Sequence, residues 1–185
     1  RPRFGVAGIK KMLGVQNRPL FGGIVKPKIG LSVPQLVEVV KEMADGGCDF
    51  IKEDEILGDP KYCKFKERVP RVLDLVAKYE EKEGREIFYA PCINGDNYLE
   101  RAEFAANNGA KMVHLNVWAG LPAYKCLRNM DMKNTGIFFQ KSGDKVFTEK
   151  DHRFGIDWKV ICDLARMMGA DMIHAGMWGG YLSDT

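Results

Sequence analysis

Three stretches of this chain share one pattern. Gly47-Cys48-Asp49-Phe50-Ile51, Gly109-Ala110-Lys111-Met112-Val113 and Gly169-Ala170-Asp171-Met172-Ile173 each run from a glycine through a small residue and a charge into two apolar residues. The glycine ends a helix and the apolar pair opens a strand. The glycines stand 62 and 60 residues apart. Each interval therefore holds two βα units of about 30 residues, the size of a strand with its crossover helix. Regular repetition of that unit, with no early break in composition, predicts a parallel sheet.

The text between the repeats agrees. Strands are predicted at 19–25, 48–51, 87–90, 111–115, 136–139 and 171–174. Ser32-Val33-Pro34-Gln35 opens a helix, with Ser32 as cap, Gln35 closing a capping box and Pro34 tolerated in the first turn. Leu36, Val39, Val40 and Met43 give it a buried face. Further helices are predicted at about 64–82, 96–108, 121–130 and 156–168. Pro70 lies inside the first of these and offers an alternative start. Residues 141–154 are polar and predict a loop facing the site.

With 185 residues, 45% apolar and 29% charged, the chain is expected to form one domain around a sizeable core. The net charge is only +3 and the charges are interspersed, so neither a nucleic-acid-binding arm nor a membrane-binding basic patch is expected. No apolar run approaches the roughly 20 residues that span a bilayer. The N-terminus carries no signal-peptide core. Five cysteines, odd in number and without a C-x-x-C, predict reduced thiols in a cytoplasmic protein; Cys48, Cys92 and Cys162 are expected to be buried. His114, His152 and His174 lack zinc-ligand spacing.

Six such strands suit an open doubly wound sheet or most of a (β/α)8 barrel, and the polar residues favour the barrel. Lys26-Pro27-Lys28 follows strand one, Lys52-Glu53-Asp54-Glu55 strand two, Asn94 strand three, Asn116 strand four and His174 strand six. Polar groups at successive carboxyl ends converge on the face where barrel sites lie. An open sheet would gather its site at one switch point, usually behind a Gly-rich first turn, and no G-x-G-x-x-G follows strand one.

Each motif has a plain reading beside a chemical one. Lys52-Glu53-Asp54-Glu55 reads as a solvated charge run, yet it directly continues Phe50-Ile51. Strand alternation points Lys52 and Asp54 the same way. Asp54 and Glu55 with a further oxygen ligand suit Mg2+, and a lysine carbamylated by CO2 could supply that oxygen. Lys26 and Lys28 read as surface lysines around a turn, or as desolvated bases near a cation. His174 reads as a core histidine, or as the edge of a phosphate-binding loop with Gly176, Gly179 and Gly180.

Taken in order, these motifs resemble the ribulose-bisphosphate carboxylase (RuBisCO) superfamily. The matching text is Arg18-Pro19-Leu20, Lys26-Pro27-Lys28-Ile29-Gly30-Leu31-Ser32, Gly46 to Glu55, Arg101-Ala102-Glu103-Phe104-Ala105 and Gly169 to Gly176. The resemblance implies a (β/α)8 TIM barrel of which residues 1–185 carry strands one to six. The N-terminal domain and last two strands of the family are expected to lie outside this chain. It implies Mg2+ held by carbamylated Lys52, Asp54 and Glu55, a phosphorylated sugar substrate and a homodimer of the full-length protein. Lys26 matches the lysine that moves the proton in enolisation, Lys28 its active-site neighbour, and His174 a histidine near a substrate phosphate. Asn94, Asn116 and Gly176 are expected to contact substrate.

Two departures refine the resemblance. The carboxylases carry a lysine on the loop after strand six where this chain has Tyr181. They carry a His-Arg pair after strand five, and Phe139-Gln140-Lys141-Ser142-Gly143 lacks both, with Lys141 a partial substitute for the arginine. The pattern is most similar to a RuBisCO-like protein (type IV). That implies a Mg2+-dependent enolase or isomerase of methylthio-sugar phosphates. A carboxylase with a relocated cation and a truncated non-catalytic relative are the alternatives.

Overall fold

The computed structural model describes residues 1–132, 134–149 and 151–175. Gly176, Gly179, Gly180 and Tyr181 lie outside the described residues. In chain order the elements are α1 (Gly5–Met12), β1 (Gly22–Ile24), α2 (Val33–Asp45), β2 (Phe50–Lys52), α3 (Phe65–Glu83), β3 (Phe88–Ala90), α4 (Tyr98–Asn107), β4 (Met112–Asn116), α5 (Leu121–Asn129), β5 (Gly136–Gln140), α6 (Lys145–Thr148), α7 (Trp158–Met168) and β6 (Met172–Ile173). A 3-10 turn at Val117–Ala119 follows β4. The βα alternation read from the sequence is present throughout.

All strand pairs are parallel, in the orders β1-β2-β3 and β4-β5-β6. The two ladders meet just past β3, where Cys92 bridges to His114. There the Ile93 N–H donates to the His114 carbonyl and the His114 N–H to the Pro91 carbonyl, each at 3.0 Å. Side-chain contacts show how far this sheet curls. The rings of Phe50 on β2 and Phe138 on β5 lie 5.9 Å apart. Three strand spacings in a flat sheet would separate them by about 14 Å. The strands therefore wrap around an interior, as in a barrel.

That interior is filled at the amino-terminal ends of β3 and β4 by Phe88 and Met112, with Ala90 and Phe138 beside them. The alternate residues Ile51 and Tyr89, and Val113, Leu115, Ile137 and Phe139, pack outward under the helices. The capping box at Ser32 is formed as expected, with the Gln35 side chain accepting from the Ser32 N–H at 2.9 Å.

Two local readings are corrected and one alternative is removed. Residues before Pro19 had no assigned structure, yet they form α1, whose Ile9 packs with Leu13 and Val15 into the barrel interior. Two glycines in eight residues hide this helix from propensity; burial and a cap from far along the chain form it. The cap is the Asp171 carboxylate, which accepts from the Phe4 N–H at 2.8 Å. Helix α3 runs over Phe65–Glu83 as expected, and the alternative start at Pro70 is not used. A proline inside a helix costs about 3 kcal/mol, but the first turn buries Phe65, Arg68 and Val69. Among the cysteines, all free, Cys92 is buried as expected; Cys48 and Cys162 are only half-buried, and Cys63 is buried instead.

Candidate active site

The carboxyl end of β2 sets the site. Alternation turns Lys52 (2% exposed) and Asp54 (3% exposed) into the barrel mouth, as expected. Glu53 faces the other way, into the helix layer. Its two oxygens accept from Arg68 Nε at 2.7 Å and Nη2 at 2.9 Å, and also from the Tyr89 hydroxyl and the Cys92 N–H. Tyr89, fully buried beside that carboxylate, is pushed well above the usual tyrosine range, first by burial and then by the Glu53 charge.

In the mouth each carboxylate has one lysine partner in place of a guanidinium. Lys26 Nζ lies 2.5 Å from Asp54 Oδ2, and Lys52 Nζ lies 3.5 Å from Glu55 Oε2. Burial pushes the Lys52 ammonium below the ordinary lysine value, against the pull of Glu55 and Asp54. Burial raises Glu55, but the Ser142 hydroxyl and the Lys52 cation outweigh it and leave the carboxyl below its ordinary value.

The remaining strand ends close a ring. Asn94 Nδ2 donates to the Glu55 carbonyl at 2.7 Å, and Asn94 Oδ1 accepts from the Asn116 N–H at 2.9 Å. From the far side, the Ser142 hydroxyl donates to Glu55 Oε1. Gln140 Nε2 meets Ser142 Oγ at 3.0 Å, and Gln140 Oε1 meets His174 Nδ1 at 3.0 Å. His174 is pushed below the usual histidine value by burial, then by the Lys52 and Lys141 cations. Glu55, Ile56, Asn94, Asn116 and Trp118 border an open cavity of about 540 Å³.

The structure thus brings Lys26, Lys52, Asp54, Glu55, Asn94, Asn116 and His174 to one end of the strands. Lys28 is exposed and does not join them. The desolvation expected of Lys26 is also corrected, because its side chain is 59% exposed. Val25 is the last buried position after the short β1, so Lys26 already stands on the rim. Lys141 is buried, 3.8 Å from Asp144 and over the Trp158 ring at 5.0 Å.

Sequence reading noted Gln140 and Ser142 only as a departure from the family and did not place them in the site, although Gln140 ends β5 and obeys the strand-end rule that found the others. It also passed over His114, whose fully buried ring has no hydrogen-bond partner among the described residues. Burial, then Lys52 and His174, push that ring well below the usual histidine value. No sequence signal separates it from a satisfied core histidine.

A curled parallel α/β sheet with lysines and carboxylates at its strand ends defines a barrel-type enzyme architecture. Residues 5–185 match the family described as the ribulose bisphosphate carboxylase large chain, catalytic domain, and the chain belongs to that family. It is 35% identical over 181 residues to a ribulose bisphosphate carboxylase of Methanosarcina mazei, covering 95% of this chain and 42% of that protein. It is 34% identical over 179 residues to a 3-oxo-isoapionate-4-phosphate decarboxylase of Rhizobium rhizogenes, covering 94% of this chain and 42% of that protein. The crystal structure of a rubisco-like protein from Burkholderia fungorum superposes with a TM-score of 0.92 at 30% identity, covering 100% of this chain and 46% of that one. The chain thus spans less than half the length of these relatives. No helix among the described residues is long and apolar enough to cross a membrane.

Proposed function

We propose that the chain supplies strands one to six of an eight-stranded barrel whose site enolises or isomerises a phosphorylated keto-sugar of the methylthio-sugar phosphate type. The whole enzyme would work as a cytoplasmic homodimer. One observation carries the reading: Lys52, Asp54 and Glu55 converge with Lys26 at a single mouth. The donor set fits Mg2+ on one condition. Among the described residues no three His, Cys, Asp or Glu side chains gather as a metal site, so Asp54 and Glu55 need another oxygen donor. Lys52 is the residue to provide it, since burial favours its neutral amine and that form reacts with CO2 to give a carbamate.

Mg2+ held by carbamylated Lys52, Asp54 and Glu55 would supply the Lewis acidity that makes the proton beside the substrate carbonyl removable. Lys26, on the rim over Asp54, would take that proton at Nζ. Asn94 and Asn116 would orient the substrate, Lys28 would approach from the exposed turn, and Gly176 would border the phosphate. The Gln140-Lys141 pair at the end of β5 supports enolisation without CO2 capture.

The test measures Mg2+ binding with and without bicarbonate, then solvent deuterium exchange into a keto-sugar phosphate. Binding should require bicarbonate, and exchange should require Mg2+. Mg2+ binding that persists in Asp54→Ala or Glu55→Ala overturns the site. Incorporation of labelled CO2 into a sugar bisphosphate favours the carboxylase, and release of CO2 from a 3-oxo acid phosphate favours a decarboxylase. A failure of all three reactions with intact Mg2+ binding favours a non-catalytic relative.

A further inference from the structure

The turn that carries Ser142 is braced from outside its own segment. Residues 141–144 join β5 to α6, and the Asp144 N–H donates to the Lys141 carbonyl at 2.9 Å. Gly143, the third residue of that turn, has a φ of +87°, which favours glycine. Trp118, in the 3-10 turn after β4, stands against this glycine. A methyl group on Gly143 would lie 2.2 Å from Trp118 Nε1 and 2.6 Å from Cε2 and Cζ2. Phe147 of α6 meets the same indole edge to face, with 6.1 Å between ring centroids. The Trp118 N–H donates to Asn116 Oδ1 at 3.2 Å, which ties the indole's turn to the end of β4. The indole remains 58% exposed, so its own burial accounts for little of its placement.

Ser142, one residue before that glycine, gives its hydrogen to Glu55 Oε1. Glu55 Oε2 faces Lys52 Nζ at 3.5 Å. The hydroxyl thus occupies one carboxylate oxygen and leaves the other turned towards Lys52. We propose that Trp118 is a positioning residue: by bracing Gly143 it keeps the Ser142 hydroxyl on Glu55 and so holds Glu55 Oε2 beside Lys52. A carboxylate held by a hydroxyl on a short turn moves when the turn moves, and the indole is what stops the turn at Gly143. Trp118 therefore acts through Ser142. Partners that orient a metal ligand from behind typically carry about 10–100-fold in metal affinity. The consequence for affinity rests on the Mg2+ reading above; the bracing of Ser142 does not.

The bracing is read first without metal, in protein labelled with 13C-glutamate at neutral pH. Ser142→Ala should shift the Glu55 carboxyl signal, and Trp118→Ala should shift it in the same direction although Ser142 is intact. Val146→Ala, an exposed change on the same loop, should leave it in place. A Glu55 signal in Trp118→Ala that matches wild type overturns the proposal, as does an equal shift in Val146→Ala. Mg2+ titration in bicarbonate then measures the consequence. Ser142→Ala and Trp118→Ala should each weaken binding by about 10-fold or more. The double variant should bind no more weakly than Ser142→Ala alone, because the two residues act on Glu55 by one route. Losses that multiply in the double variant overturn the route through Ser142. Wild type that binds no Mg2+ defeats the metal reading instead, and the metal-free carboxyl signal still decides whether Trp118 braces Ser142.

Discussion

Glu53 and the pair Asp54 and Glu55 are consecutive in the chain but occupy two different regions. Glu53 lies in the helix layer, where one guanidinium, one phenol and one backbone N–H use up its acceptor sites. Asp54 and Glu55 lie in the barrel mouth, where Asp54 meets Lys26 and the Ile56 N–H, and Glu55 meets Lys52 and the Ser142 hydroxyl, fewer donors than Glu53 has. A carboxylate saturated by buried donors is structural, because nothing else can be added to it. One with acceptor capacity left, facing open space, is ready for a cation or substrate. Sequence neighbours divide this way because side chains alternate across a strand.

The contrast breaks most easily at Glu53. Glu53→Ala leaves Arg68 buried without its partner, and removing one member of such a pair costs about 3–5 kcal/mol. Urea unfolding should show that loss. Asp54→Ala should change stability by less than about 1 kcal/mol, since Lys26 is largely exposed, while abolishing Mg2+ binding in titration. Equal losses of stability in the two variants would erase the distinction between the regions.

Lys26→Met probes the mouth alone. Deuterium exchange should fall by about 10²-fold, equivalent to about 2.7 kcal/mol, with Mg2+ binding retained. If exchange survives, the base lies elsewhere and Lys28 is the next residue to replace. Tyr89→Phe probes the helix layer alone. Losing one hydrogen bond to the Glu53 charge should cost about 1.5 kcal/mol, seen as a lower thermal midpoint, with Mg2+ binding unchanged. Weakened Mg2+ binding in Tyr89→Phe would mean that the two faces of β2 are coupled.

The smallest effect concerns Glu55, whose carboxyl is held below its ordinary value despite burial. A depressed carboxyl contributes stability that is present above its unfolded value, about 4.3, and is lost as pH falls through the folded value. In Mg2+-free protein, Ser142→Ala should raise the Glu55 pKa, read by 13C carboxyl titration, and shrink this acid-side loss. An unchanged Glu55 titration would remove Ser142 from the mouth.

Local periodicity carried much of this protein into view. The strand–helix alternation, the Ser32 capping box and the inward turn of Lys52 and Asp54 all follow from residues within a few positions of one another, and short-range geometry suffices to read them. The curl that brings Phe50 against Phe138 does not follow from any one segment. It accumulates over the whole sheet, and it sets which distant residues meet. Hence Ser142 reaches Glu55 across 87 positions, and Asp171 caps α1 across 167. The same wrapping left Lys26 exposed on the rim where its sequence context suggested burial. Alternation along a strand is decided by bonded neighbours; the meeting of strand ends is decided by long-range packing, which only the folded chain contains.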